Sequence, residues 1–252
     1  MTTSDHRADG ASASLTDAVT FSFDWYESFL REIRSEGYTF GRYGDSVAPG
    51  TVLLRHDVDL SPRRARRMAE IEADLGIEST YFVLVASPMY NVLEANTRET
   101  LTEIADLGHD IGVHFSTHQY WSPDAVPTAE APIAERVRDE RATLSTVLDP
   151  IETVSFHIPP ERVLRREFDA FPSTYEPRFF TDIEYHGDSD QRWRGDPPDP
   201  AGFGSKAQVL VHPGLWGETD DPFEHRVHEG VAETRRRTAT YARERYLAQE
   251  FG

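Results

Sequence analysis

The amino-acid sequence predicts an α/β domain in which parallel strands alternate with helices. Short runs rich in β-branched and aromatic residues are each followed by a segment with helical periodicity, and the connections are brief. This order is typical of parallel strands covered by helices. The 252 residues suit one domain, and an apolar content of 38% is enough for a sizeable core. The strands could form an open doubly wound sheet or a barrel.

The predicted elements follow one another in a regular order. Residues 1–18 are polar and aperiodic, so we expect a mobile tail before a domain at 19–252. Ser61 and Pro62 predict the start of one helix, and Gly76 predicts its end. The other predicted elements are a helix ending near Gly37, strands from Thr51 and at 79–85, 109–115, 152–158, 178–183 and 208–212, and a terminal helix at about 229–248.

The charge balance excludes two classes of partner. The chain has 44 acidic and 26 basic side chains, a formal net charge of −18. Nucleic-acid binding needs clustered basic residues, and an anionic membrane repels such a surface, so we expect neither partner. Lys206 is the only lysine. Dense carboxylates with almost no lysine indicate a halophilic protein, and a GC-rich genome is the alternative explanation.

The absence of cysteine restricts any metal site to His, Asp and Glu ligands. No GxGxxG follows the first strand and no Walker A sequence occurs, so nothing supports nucleotide binding. The N-terminus has no basic and apolar leader, and no apolar run approaches the roughly 18 residues of a membrane span. These features predict a soluble, cytoplasmic protein.

Two acidic residues close the strand that begins at Thr51. Because side chains alternate along a strand, Asp57 and Asp59 project to one side, about 7 Å apart. One could bind a cation while the other accepts a proton. The alternative is a pair of loop acids that cap the next, arginine-rich helix.

Two histidines four residues apart lie where the strand at 109–115 enters a loop. His114 and His118 could chelate one metal from a single turn of backbone. An isolated pair would be weak evidence. Sites in parallel α/β folds lie at the carboxyl ends of strands, so these histidines and the two acids share one rim. Two His and a carboxylate are a common ligand set for a catalytic metal.

Other polar and aromatic residues follow later strands. His157 and His212 lie at strand ends, where a histidine can donate a proton or simply pack. The aromatic side chains in these loops could be platforms for sugar rings or ordinary loop anchors. The polar residues in these loops are Asp188, Asp190 and Arg192, and the aromatic residues are Trp121, Trp193 and Trp216.

The order of these motifs resembles the polysaccharide deacetylases, carbohydrate esterase family 4 with the nodulation-deacetylase homology domain. The segments are DVD, STYFV, IGVHFSTH, FHIPP and VLVHPGLW, spread over roughly residues 50–217. IGVHFSTH is the most specific, since the family's second motif has two histidines separated by three residues after Ile-Gly.

The resemblance implies a fold and a mechanism. The fold is a distorted (β/α) barrel of about seven parallel strands in a single domain, with a divalent metal, usually zinc, in an open groove. In the family's pattern the base falls on Asp57, the metal ligands on Asp59, His114 and His118, and the general acid on His212.

Three departures from the family pattern leave some roles open. An extra residue separates the two acids, so which is base and which is ligand is undecided. Where the family has Arg-x-Pro this chain has His157 and Pro159, and Arg55 could supply the missing arginine. Either Asp188 or Asp190 could orient His212 or His157. Arg192, Trp193 and Trp216 are candidates for substrate contact in a segment that resembles a divergent branch of the family.

The predicted function is therefore metal-dependent removal of an acetyl group from an N- or O-acetylated sugar, glycan or sugar-nucleotide precursor. One alternative is amide hydrolysis on a non-sugar small molecule. Another is a non-catalytic carbohydrate-binding relic of the same fold.

Overall fold

A sheet of seven parallel strands forms the centre of the computed structural model, which describes residues 18–43 and 46–247. The strands are β1 Thr39–Gly41, β2 Thr51–Val58, β3 Thr80–Val83, β4 Asp110–Ser116, β5 Val154–His157, β6 Glu184–Gly187 and β7 Lys206–Val211. The spatial order is β5-β4-β3-β2-β7-β6, and β1 pairs with the first half of β2. The predicted N-terminal tail lies outside the described residues, apart from residue 18.

The sheet curls into an incomplete barrel with helices around it, which confirms the predicted distorted (β/α) barrel. No strand ladder joins β5 to β6 in the described part of the chain, so the barrel stays open at that seam. The helices are α1 Phe23–Ser35, α2 Pro62–Asp74, α3 Ala95–Asp106, α4 Glu130–Leu144, α5 Pro177–Phe180 and α6 Phe223–Ala242. None of these helices, within residues 18–43 and 46–247, is long and apolar enough to cross a membrane.

Helix α2 begins and ends where the sequence predicts. The hydroxyl of Ser61 accepts a hydrogen bond from the backbone N–H of Arg64, and Pro62 occupies the first turn. Gly76 follows the helix with φ +64°, a conformation that glycine adopts without steric cost. The helix therefore starts directly after β2, and the loop between them carries Asp59.

Alternation along β2 separates the core from the site. Val52 and Leu54 face outward and pack with residues of α1 and α2, whereas Leu53 faces inward and packs with Phe82. The outward residues of β3, β4 and β5 pack in the same way against α3 and α4. Continuing the period of two brings Arg55 and Asp57 to the interior of the barrel.

Two sequence predictions about elements are wrong. Residues 178–183 are not a strand: Pro177 starts the short helix α5, with Phe179 buried, and the strand follows at β6. The terminal helix begins at Phe223, directly after Pro222, rather than near residue 229.

Candidate metal centre and catalytic groups

Five of the predicted residues meet at the carboxyl ends of the strands. Asp57 lies on β2, Asp59 follows that strand, and His114 lies on β4. His157 ends β5 and His212 follows β7. Because all these strands are parallel, their carboxyl ends share one rim, as the sequence predicts.

Asp59, His114 and His157 form a compact group of possible metal ligands. The Oδ1 atom of Asp59 lies 3.2 Å from Nε2 of His114 and 3.0 Å from Nδ1 of His157. The two imidazole nitrogens are 3.3 Å apart. Asp59 Oδ1 is buried and makes no hydrogen bond to any residue that the structure describes. An unsatisfied buried carboxylate oxygen beside two imidazole nitrogens is the donor arrangement that a divalent ion would complete.

A contact on the Nδ1 side of the ring fixes the orientation of the His114 imidazole. Its Nδ1 lies 2.9 Å from the hydroxyl of Ser155, which leaves Nε2 facing Asp59. Burial opposes ionisation of Asp59, but the imidazoles of His114 and His157 outweigh burial and hold the pKa of this carboxyl far below its usual range. Asp59 is therefore ionised at neutral pH.

Arg55 holds the carboxylate of Asp57. Its Nε and Nη2 donate to the two carboxylate oxygens at 2.9 and 2.6 Å, and the hydroxyl of Ser155 donates at 3.1 Å. Both charged side chains are buried. Burial raises the pKa of Asp57, but Arg55 and His114 more than offset it, so the pKa lies below its ordinary value. Arg55, two residues before the acid, therefore holds this carboxylate in a fixed orientation.

His212 is paired with Asp188. Its Nδ1 lies 2.5 Å from Oδ1 of Asp188, and Oδ2 of the same carboxylate accepts from the backbone N–H of His212 and from the indole N–H of Trp216. The other ring nitrogen, Nε2, faces Asp59 at 4.0 Å. Burial favours the neutral ring, but Asp188, with help from Asp59, raises the pKa of His212 to about 9. His212 is therefore a cationic donor at neutral pH.

The structure does not bring His118 into this group. The chain leaves β4 through a 3₁₀ turn, Thr117–Gln119, which turns His118 outward, and its Nε2 faces the carbonyl of Ile158 at 3.3 Å. His157 takes the place in the group that the sequence predicts for His118. The signal for this role is the position of His157 at the end of a strand. That strand, β5, lies next to β4, which carries His114, and His157 pairs there with Ser116.

Two tryptophans expected in loops are buried in the core. Trp193 is 2% exposed and Trp216 is fully buried, and both pack against Trp25 of α1. They are anchors rather than open platforms for a sugar, although Trp216 also holds Asp188. Trp121 is half-buried.

The remaining predicted residues lie at the edges of the site. Asp190 and Arg192 are exposed, and Pro159 is half-buried. Asp188, and not Asp190, contacts His212.

Comparison with known proteins gives structural matches only. No protein-family model matches the chain, and no curated protein does. One solved structure is the peptidoglycan deacetylase PdaC from Bacillus subtilis, at 13% identity and a TM-score of 0.45, over 80% of this chain and 98% of that one. Another is a Streptococcus mutans CE4 esterase, at 12% identity and a TM-score of 0.45, over 84% and 91%.

A third match is a family 4 acetyl xylan esterase from Clostridium thermocellum in complex with a cobalt ion. It is 16% identical with a TM-score of 0.41, over 75% of this chain and 83% of that one. Two of these proteins are named as family 4 esterases and one as a deacetylase. At such low identities and TM-scores, the function of this chain has to be inferred from the geometry of its own site.

Proposed function

We propose that this protein is a hydrolase that removes an acetyl group from an acetylated sugar or glycan and uses a divalent metal ion. The observation that carries the proposal is the unsatisfied Asp59 Oδ1, buried between the ring nitrogens of His114 and His157. Two nitrogen donors and one carboxylate suit zinc, which we propose as the ion. When bound there, such an ion would polarise an acyl carbonyl and lower the pKa of water.

The residues around this group supply the proton transfers. Asp57 is ionised and aimed by Arg55 and Ser155, so it can accept a proton from the water that adds to the acetyl carbonyl. His212 is protonated at neutral pH and presents Nε2 toward the site. It can donate its proton to the leaving nitrogen or oxygen, with Asp188 stabilising the cation beforehand.

The catalytic proposal explains more of the site than a binding relic does. A relic would have no need of the buried Arg55–Asp57 ion pair or of the short Asp188–His212 contact, both of which serve proton transfer. Amide hydrolysis on a non-sugar small molecule would use the same groups. A panel of substrates separates these two chemistries, because only the identity of the leaving group differs.

Metal content provides the direct test. Wild-type protein purified without chelators should contain about one divalent ion per chain by elemental mass spectrometry. His114→Ala and His157→Ala should lose the ion, whereas the matched His118→Ala should retain it. Wild-type protein that stays metal-free in micromolar zinc would contradict the proposal. Loss of the ion in His118→Ala, with retention in His157→Ala, would replace the ligand set.

Acetate release provides the functional test. The panel comprises N-acetylglucosamine, N,N′-diacetylchitobiose, O-acetylated xylobiose, an acetylated sugar nucleotide and a simple N-acetylated amine. Metal-loaded wild type should release acetate from at least one sugar and less from the amine. A preference for the amine would favour the non-sugar alternative.

A further inference from the structure

Ile158 adopts a backbone conformation that is unfavourable for its side chain. Its φ is +44°, in the left-handed region that glycine and asparagine tolerate and that β-branched residues avoid. It follows His157 directly, at the end of β5, and precedes Pro159. The residue therefore stores strain next to a proposed metal ligand.

Packing does not compensate for this strain. The Ile158 side chain is 65% exposed, and it is the only exposed isoleucine in the described part of the chain. Burial of an isoleucine usually stabilises the fold, so an exposed and strained isoleucine has no benefit for stability alone. Strain of this kind persists mainly where function requires the geometry.

The position of Ile158 indicates what it could contact. The preceding residue presents its Nδ1 to Asp59, and the carbonyl of Ile158 itself receives Nε2 of His118 at 3.3 Å. The same short segment thus carries a proposed metal ligand and, one residue later, an exposed apolar side chain. The contact with His118 and the ring of Pro159 restrict the backbone of this segment, and the side chain remains open to solvent next to the ligand.

We propose that Ile158 is a substrate-contact residue that packs against the apolar C–H face of a sugar ring next to the acetyl group. The proposal rests on the proposed function and adds a recognition element to it. Covering Ile158 with a ring face would remove apolar surface of both partners from water on binding. The metal and proton-transfer groups would bind the acetyl end, and Ile158 would hold the ring beside it.

The test separates the side chain from the strain. Ile158→Asn keeps a residue that tolerates φ > 0 but removes the apolar surface, and Ile158→Leu keeps an apolar side chain without the β-branch. Arg165→Asn is the matched control, because Arg165 also has a positive φ, +59°, and its guanidinium lies over the ring of Phe180 rather than in the site. The probe is N,N′-diacetylchitobiose or O-acetylated xylobiose, whichever the wild type hydrolyses faster, with acetate release as the readout.

The expected result is a change in KM with little change in kcat. Ile158→Asn should raise KM about five- to twentyfold and leave kcat within about twofold, because the contact contributes to binding and not to proton transfer. Ile158→Leu should recover KM to within about threefold. Arg165→Asn should leave KM at the wild-type value. Both asparagine variants should unfold at or slightly above the wild-type temperature, since strain is relieved.

Each contrary result has a distinct meaning. A wild-type KM in Ile158→Asn would overturn the substrate contact, and so would equal losses of kcat and bound metal, which would indicate a purely structural loop. A lower unfolding temperature in Ile158→Asn would overturn the argument from strain. A metal-loaded wild type inactive on every sugar of the panel would overturn the proposed function and the contact together, whereas an active wild type isolates the contact.

Discussion

The two sides of β2 carry two buried polar clusters with opposite properties. The inner cluster contains Asp57, Asp59 and the histidines described above. The outer cluster surrounds Glu72 of α2, whose carboxylate accepts from the hydroxyls of Tyr26, Tyr81 and Ser79 at 2.6, 2.9 and 2.5 Å. It also pairs with Nε2 of His56 at 2.9 Å.

The difference lies in how completely each cluster is satisfied. Every oxygen of Glu72 has partners, and only Nδ1 of His56 lacks one among the described residues of that cluster. The inner cluster leaves a carboxylate oxygen of Asp59 open toward two ring nitrogens. A buried polar cluster that satisfies itself holds a fold together, whereas one that leaves an anionic oxygen open is built for something else to bind. Neighbouring residues of one strand, His56 and Asp57, thus serve different purposes.

The largest expected effect is on activity, from the inner cluster. His212→Gln removes the proposed acid and should lower kcat for acetate release by about 10²–10⁴-fold. Metal content should stay at the wild-type level, because His212 is not among the three grouped ligands. The measurement is steady-state acetate release beside elemental analysis of the same sample. A kcat within threefold of wild type would remove His212 from the mechanism.

The outer cluster should respond in stability rather than in chemistry. Glu72→Ala leaves three hydroxyls and His56 without their buried acceptor, and we expect the free energy of unfolding to fall by about 3–5 kcal/mol. Urea denaturation followed by circular dichroism measures this loss. The kcat per folded molecule should stay within about threefold. A loss of activity without a loss of stability would invert the roles of the two clusters.

Glu140 of α4 is a further buried carboxylate and is only partly satisfied. One oxygen accepts from the hydroxyl of Tyr120 at 2.8 Å, and the other has no hydrogen-bond partner among the described residues. Burial raises the pKa of Glu140 to about 7, against the opposing effect of Tyr120. The folded state therefore holds this proton more tightly than the unfolded state does.

The sign of the pH dependence follows from that difference. The stability contributed by protonated Glu140 is present in full below the unfolded pKa and is lost as pH rises to about 7, by up to about 3 kcal/mol. Glu140→Gln should remove this part of the dependence. Urea midpoints of both proteins at pH 5 and pH 8 measure it, and parallel profiles would show that Glu140 titrates normally.

The smallest expected effect comes from the close packing between β4 and the residues beside it. A Cβ at Gly112 of β4 would lie 2.7 Å from the ring of Phe82 and 3.1 Å from the carbonyl oxygen of Thr153. Gly112→Ala should therefore cost about 1–3 kcal/mol of stability. It should also weaken metal binding, because β4 carries His114 two residues later. Metal titration of the variant checks this, and unchanged affinity would show that β4 absorbs the strain elsewhere.

Local patterns in the sequence predict most of the fold, because they act between residues that are close together in the chain. Ser61, Pro62 and Gly76 are local signals that act within one turn, so the bounds of α2 follow directly. The strand predicted at 178–183 is wrong because a short apolar run suits either a strand or a helical turn. Pro177 favours the helical turn, since it occupies the first position of α5.

The site could be predicted only as far as strand alternation reaches. Alternation and a shared rim correctly bring Asp59 together with His114. His118 lies beyond the strand, where the direction of the 3₁₀ turn decides its position, and no periodicity encodes that direction. The suggestion that Trp193 and Trp216 are open platforms is wrong for a similar reason. Both pack against Trp25 of α1, and the local sequence does not encode the path of a loop over a distant helix.

The open seam between β5 and β6 has a consequence for how the site depends on the shape of the sheet. Arg55 and Asp57 sit on one strand, so opening or closing the barrel does not alter their separation. Asp59, His114 and His157 come from β2, β4 and β5, so their convergence depends on curvature across four adjacent strands. An ion bound there would link β2, β4 and β5 and would hold this half of the sheet in its curved form. The curvature and the ion would then stabilise one another, while the Arg55–Asp57 ion pair stays intact in either state.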